Sequence, residues 1–328
     1  MRVMQITEPG GPHVLRPADL PVPEPGPGQV QISVVAAGVN RADLLQRAGL
    51  YPPPPGAPTW PGLEVSGVVS GVGPVRDDGS PRWAVGDRVC ALLPGGGYAE
   101  RVVADAALVL AVPPGLDLVD AAGLPEAIAT IGSNLRAAHL ADGETLLVRG
   151  GSGGIGSIAV QLGRALGHRV LATAGGPERV ARVRELGADV VLDHRRDDLV
   201  EQVRAATDGR GVDVLLDVLG AAGLADNLAM LADDGRLVVL GLQRGARASI
   251  DLGLLLARRL SVAGTSLRSR PADQKAAIMA DVRDRLWPLV ADGRVRPVVH
   301  ARLPLDQAAQ AHLLLDSGDV FGKLLLLP

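Results

Sequence analysis

Read for its alternation of apolar and polar positions, the chain changes rhythm once. Up to about residue 115, short β-branched runs are cut by Gly and Pro, as in "VQISVVAAGV", "LEVSGVVSGVG", "GDRVCALL" and "YAERVVADAALVLAVP". Runs of that length between turn signals predict strands of an all-β, barrel-like unit. From about Asp120, strand-like runs alternate with longer segments of helical period. "ETLLVRG" precedes "IGSIAVQLGRALG", where Ile155, Ile158, Ala159, Leu162 and Leu166 share one helical face. "RVLATA", "PERVARVRELG", "DVVLDH", "DDLVEQVRAAT", "VDVLLDVLG", "GLADNLAMLA" and "GRLVVLGL" continue the order. That alternation predicts a doubly wound parallel sheet. A helix-like "LGLLLARRL" leads to the strand "SVAGTSL"; two helices follow Pro271, and the strand-like "GKLLLLP" closes the tail. Returning that strand to the first unit makes the second an insertion. The predicted fold is α/β: a β-rich unit of residues 1–119 and 271–328, and a Rossmann-type unit of residues 120–270.

Composition narrows the partners. A chain of 328 residues exceeds what one hydrophobic core usually spans, which agrees with two units. The net charge of -3 supplies no basic field for nucleic acid or an anionic membrane. "MRVMQITEPG" lacks the apolar run of a signal peptide and no segment approaches a membrane span, so a cytoplasmic protein is expected. The single cysteine, Cys90, excludes an internal disulfide framework and a multi-cysteine zinc lobe, and within a strand it reads as a small packing residue. "PVPEPGPG" reads as a stiff surface crossing, and there is no internal repeat.

The strongest local signal is "RGGSGGIG", between a predicted strand and a predicted helix. Gly151, Gly153 and Gly156 stand in a G-x-G-x-x-G frame with Ser152, Gly154 and Ile155 between them. In that frame the first glycine allows a tight turn, the second lets backbone approach a pyrophosphate, and the third lets helix and strand pack closely. The helix start adds free amides and a positive dipole end. An NAD site would place a carboxylate at the end of the next strand. Here Gly175 and Gly176 stand there, Arg179 follows one turn later, and His194 and Arg195 follow the third strand. Without the acid, and with cations in reach of a 2′-phosphate, NADPH is the expected dinucleotide. The arginines also read as solvated surface charges.

Upstream, "AAGVNRADLLQRAGLYPPPPG" places Asn40 and Asp43 at the start of a helical stretch, and Tyr51 before four prolines, in a chain with only 2 Tyr and 1 Phe. Asn40 and Asp43 also form a capping arrangement, and the alternative for the Tyr51 ring is packing on Pro52 to Pro55.

The stretches "GVNRADLLQRAGLYPPP", "PGLEVSGVV", "VGDRVCALLPGGGYAE" and "FGKLLLL" resemble the quinone oxidoreductase family of the medium-chain dehydrogenase/reductase superfamily, and most closely its tumour-suppressor-induced branch. The resemblance covers nearly the whole chain and implies a GroES-like catalytic unit. Zinc-dependent relatives carry Cys where this chain has Asn40 and His where it has Leu63 before Glu64, so no metal is expected. Without a Lewis acid the acceptor must disperse incoming charge itself, as quinones and α,β-unsaturated carbonyls do.

The resemblance further implies that Asn40 and Tyr51 lie near the nicotinamide and the acceptor, the phenol donating to a developing oxyanion and the amide orienting an oxygen. It adds Thr130, Gly241, Leu242, Ser266, Leu267 and Lys323 as cofactor contacts. Thr130 can equally be an ordinary helix-interior residue and Lys323 a surface charge, and His312 reads as structural. The function expected is NADPH-dependent quinone reduction. The rivals are an enoyl reductase and a nucleotide- or RNA-binding protein of the zeta-crystallin type; the lack of a basic, aromatic-interleaved stripe counts against RNA. The apolar strand Leu260 to Leu267 predicts a homodimer joined at the sheet edge.

Overall fold

The computed structural model describes residues 1–76 and 83–328. The chain forms two units, Met1–Ala129 with Arg268–Pro328, and Thr130–Leu267.

The first unit is built on the long strand Gln29–Val39. Val30, Ile32 and Val34 are buried while the residues between them are half-buried, so one face meets the core. From Ala36 onward both faces are buried, and the strand changes from an outer wall to a central element. It pairs antiparallel with Glu64–Val72, Arg101–Asp105 and the carboxy-terminal strand Lys323–Leu327. The tail therefore returns to the first unit, with Leu324 opposite Val39 and Leu326 opposite Ala37. Arg88–Leu92, Val109–Ala111 and Val299–Pro304 complete a seven-stranded sheet. The run "YAERVVADAALVLAVP" is two strands rather than one. Asp105 accepts the Ala107 amide at 3.0 Å and caps the tight turn Ala106–Leu108 between them.

The second unit is a six-stranded parallel sheet in the order Val190–Asp193, Arg169–Ala174, Thr145–Val148, Val212–Asp217, Leu231–Val239, Ser261–Gly264. The strand order reverses beside Thr145–Val148, which makes this a doubly wound Rossmann sheet. Ser261–Gly264 is its edge, and all four residues are exposed. "GLADNLAMLA" is helical only over Leu224–Met230; Leu231 already begins the next strand.

The boundaries between units differ from those expected at 119/120 and 270/271. Asp120–Gly123 is a turn whose Ala122 packs with Ala36 and Leu325, so this stretch belongs to the first core. The boundary falls inside the helix Pro125–Ala137. The tail helix Ala272–Asp281 widens to a π-turn over Val282–Leu286 before Pro288, which cannot donate back along the helix. Among the described residues no helix is long and apolar enough to cross a membrane.

Candidate functional site

In the second unit the strand Thr145–Val148 is buried along its length and runs into the glycine loop. The left-handed turn falls at Gly150, with φ 78°, one residue before the glycine expected to make it. The Gly150 and Gly151 amides donate to the Thr173 hydroxyl at 3.0 Å and the Thr173 carbonyl at 2.8 Å, tying the loop to the neighbouring strand. A β-carbon on Gly156 would lie 2.0 Å from the Gly150 carbonyl oxygen, so only glycine lets the helix Gly154–Ala165 begin here. A β-carbon on Gly153 would meet nothing nearer than 3.6 Å. The open side of the loop is therefore at Gly153, at the helix start, where a pyrophosphate would need backbone amides.

The end of strand Arg169–Ala174 is bare backbone overlaid by the His194 imidazole and the Arg195 guanidinium. A β-carbon on Gly175 would stand 3.1 Å from His194 Nε2 and 3.2 Å from Arg195 Nε; one on Gly176 would stand 2.9 Å from Arg195 Nη1. The nearby Asp193 carboxylate is committed to backbone, accepting the Gly176 amide at 3.1 Å and the Arg195 amide at 3.0 Å, which holds its pKa below the usual range. Burial, then the charges of Arg149, Arg195 and Arg244, lower the pKa of His194. Arg179 sits in the first turn of the helix Pro177–Glu185. Thr130 lies inside Pro125–Ala137; its carbonyl accepts from Asn134 at 2.6 Å, and Asn134 accepts the Thr265 hydroxyl. That bond places Thr130 one side chain from the segment carrying Ser266 and Leu267. Gly241 lies against Val218, and Leu242 is exposed.

The first unit contains a buried polar chain. Asn40 Nδ2 donates to Glu64 Oε1 at 2.9 Å, and the Lys323 ammonium donates to Asn40 Oδ1 at 2.7 Å and to Glu64 Oε1. Glu64 Oε2 accepts the Glu126 amide at 2.9 Å. Lys323 is 3% exposed and Glu64 0%, so the reading of Lys323 as a surface charge does not hold. Asp43 accepts the Asn40 amide at 2.8 Å, the returning half of a capping box, and also the Gly62 amide at 2.9 Å. Tyr98 donates to Asp43 Oδ2 at 3.2 Å and meets His312 Nε2 at 3.1 Å; Arg47 Nη1 lies 3.2 Å from His312 Nδ1. The donors assign a neutral His312 with its proton on Nε2. Burial, opposed by these hydrogen bonds, raises Asp43 to about 6, and burial beside Arg47 lowers His312 to about 3. Cys90 is fully buried in its strand.

Tyr51 meets a residue that the sequence did not single out. The Arg268 guanidinium lies over its ring, 5.2 Å from the centroid. Arg268 also donates to the Pro94 carbonyl at 2.7 Å and to Gln46 Oε1 at 2.7 Å.

Matching models cover both units: the GroES-like domain of alcohol dehydrogenases over residues 26–114, and the zinc-binding dehydrogenase family over residues 154–281. The chain is 34% identical over 336 residues to the quinone oxidoreductase of Rattus norvegicus, covering all of this chain and 98% of that one. It belongs to the quinone oxidoreductase family of the medium-chain dehydrogenases/reductases. Escherichia coli quinone oxidoreductase, solved as a complex with NADPH, superimposes with a TM-score of 0.88 at 29% identity, each chain covered completely. A phthioceranic/hydroxyphthioceranic acid synthase of Mycobacterium tuberculosis is 36% identical over 326 residues, which make up 98% of this chain and 15% of the synthase.

Within the quinone oxidoreductase family this member's donor set does not suit zinc. Asn40 offers an amide, Leu63 is a buried aliphatic, and the Glu64 carboxylate is already held by the Lys323 ammonium. A second cation there would face a fixed positive charge. Among the described residues no cluster of three or more His, Cys, Asp or Glu is grouped for a metal. Sequence reasoning missed Tyr98, Arg268 and the partnership of Lys323 with Asn40. The scarcity of tyrosine that drew attention to Tyr51 applies equally to Tyr98.

Proposed function

We propose that this chain is an NADPH-dependent, zinc-independent reductase of quinones. The observation that carries the reading is the convergence of His194 and Arg195 on the bare Gly175-Gly176 strand end, in a family member whose zinc-ligand positions hold Asn40 and Leu63. The residues present fit the dinucleotide. The loop Gly151 to Gly156, open at Gly153, would hold the pyrophosphate; His194, Arg195 and Arg179 would meet a 2′-phosphate. Thr130, Gly241, Leu242, Ser266 and Leu267 would line the nicotinamide half. NADPH supplies a hydride. Asn40, held by Glu64 and Lys323, presents a fixed amide rather than a mobile one, and Tyr51 offers a phenol for the acceptor oxygen.

In this reading the protein works in the cytoplasm as a homodimer. The support for the dimer is the exposed edge Ser261–Gly264, which leaves backbone groups open to self-pairing about a two-fold axis. Light scattering at micromolar concentration checks it, and a monomer removes it. Steady-state NADPH oxidation against ortho-quinones, para-quinones and enones tests the activity. Turnover of quinones in preference to enones is expected; reduction of enones alone would replace this reading with an enoyl reductase.

A further inference from the structure

Arg268 is 7% exposed, yet no carboxylate pairs with it among the described residues. Its three hydrogen bonds go to the Pro94 carbonyl, to Gln46 Oε1 and, at 3.5 Å, to the Tyr51 carbonyl. The last is at the limit of hydrogen bonding, and the guanidinium has more N–H donors than these bonds use. Asp43 is the acid whose charge it feels, but both Asp43 oxygens are committed to Asn40, Gly62 and Tyr98. A second cation adds to the imbalance. The Lys275 ammonium donates to the Arg268 carbonyl at 3.4 Å, and burial together with the Arg268 charge lowers its pKa. Two half-buried or buried cations without a carboxylate between them are costly unless an anion joins them in function. The Tyr51 ring beside the guanidinium supplies a flat apolar wall.

We infer that Arg268 and Tyr51 form the acceptor subsite, in which the guanidinium binds the oxygen that becomes anionic on a planar aromatic substrate. The inference rests on the quinone reductase reading and names the group that takes up the charge. Two-electron reduction by NADPH, which is oxidised to NADP⁺, places the hydride's hydrogen on one quinone oxygen; both C=O π bonds are lost as the ring becomes aromatic, and the second oxygen carries the charge of a hydroquinone monoanion. A proton from water then completes the hydroquinone. Arg268 stabilises the monoanion oxygen without giving up its own proton.

The probe that separates this subsite from the reaction is 4-nitrophenolate, a planar aromatic oxyanion that undergoes no hydride transfer here. Wild type should bind it and lower the pKa of the bound phenol. Arg268→Met should weaken that binding roughly 10- to 100-fold, the scale of one charge-assisted hydrogen bond, and lower kcat/KM for quinones to a similar degree, with NADPH affinity unchanged. Arg268→Lys keeps the cation and loses the fork, so it should fall between the two; it carries the test if Arg268→Met does not fold. Folded variants that match wild type in phenolate binding and quinone turnover overturn the inference. If wild type turns over no quinone while Arg268→Met still loses the phenolate, the reaction proposed above fails and the anion subsite stands.

Discussion

The ammonium of Lys323 donates to the side-chain oxygen of Asn40 at 2.7 Å, across 283 positions of sequence. The bond fixes the orientation of the Asn40 amide, because the opposite edge donates to Glu64, which the same ammonium also holds. Glu64 and Lys323 are thus a buried pair whose desolvation is offset by each other and by the Glu126 amide. Lys323→Met leaves the carboxylate uncompensated and should cost about 3–5 kcal/mol in denaturant unfolding. Adding Glu64→Gln to that variant should recover part of the loss, since the remaining group is neutral. Strict additivity of the two substitutions would show that the pair is not coupled.

Asp43 and His312 give opposing pH dependences through Tyr98, which contacts both, with Arg47 and Lys323 as the facing cations. The Asp43 pKa rises from 3.8 to about 6 on folding, so the stability its bound proton contributes is full below 3.8 and lost as pH rises through about 6. The His312 pKa falls from 6.5 to about 3, so its contribution is full above 6.5 and lost as pH falls through about 3. The two offset each other in the overlap. His312→Gln removes one of them, and its unfolding free energy should fall, relative to wild type, as pH rises from about 4 to about 6. Parallel pH profiles for variant and wild type would contradict this.

The glycine loop separates folding from binding. Gly156→Ala puts a methyl against the Gly150 carbonyl and should cost about 1–3 kcal/mol, together with NADPH affinity. Gly153→Ala makes only an ordinary van der Waals contact, 3.6 Å from the Gly150 carbonyl oxygen, and should unfold as wild type does while binding NADPH more weakly. Fluorescence titration with NADPH beside thermal unfolding distinguishes them; equal effects of the two substitutions on stability would refute the geometry.

Arg195→Ala should weaken NADPH by about 1.5–3 kcal/mol, the worth of a charge-assisted hydrogen bond, and leave NADH nearly unchanged. A wild type that already prefers NADH would mean that His194 and Arg195 over Gly175 and Gly176 serve something other than a 2′-phosphate.

Tyr51→Phe keeps the ring over Arg268 and removes the hydroxyl. If the phenol stabilises developing charge, turnover should fall roughly 10- to 1000-fold, towards the low end for an acceptor that disperses its own charge. Turnover equal to wild type would assign Tyr51 to packing, and Tyr51→Ala should then lose stability instead.

The part of this protein that can be read from its residues alone is the part written in local pattern. Period-2 runs such as Gln29–Val39, and the alternation of strands with helices after Asp120, specify which segments form sheets because each must bury its own apolar face. The loop from Gly151 to Gly156 was legible for the same local reason, lying between the strand Thr145–Val148 and the helix Gly154–Ala165. The tertiary structure decided the pairings of polar groups. Lys323 reaches Asn40 because the last strand lies against Gln29–Val39, a register no spacing rule supplies. Arg268, one residue past Leu267 and in no motif, lies over Tyr51 through bonds to Pro94 and Gln46. Apolar burial repeats with the helix or strand that carries it and so leaves a period in the sequence, whereas a buried charge needs only one partner, wherever the fold brings it.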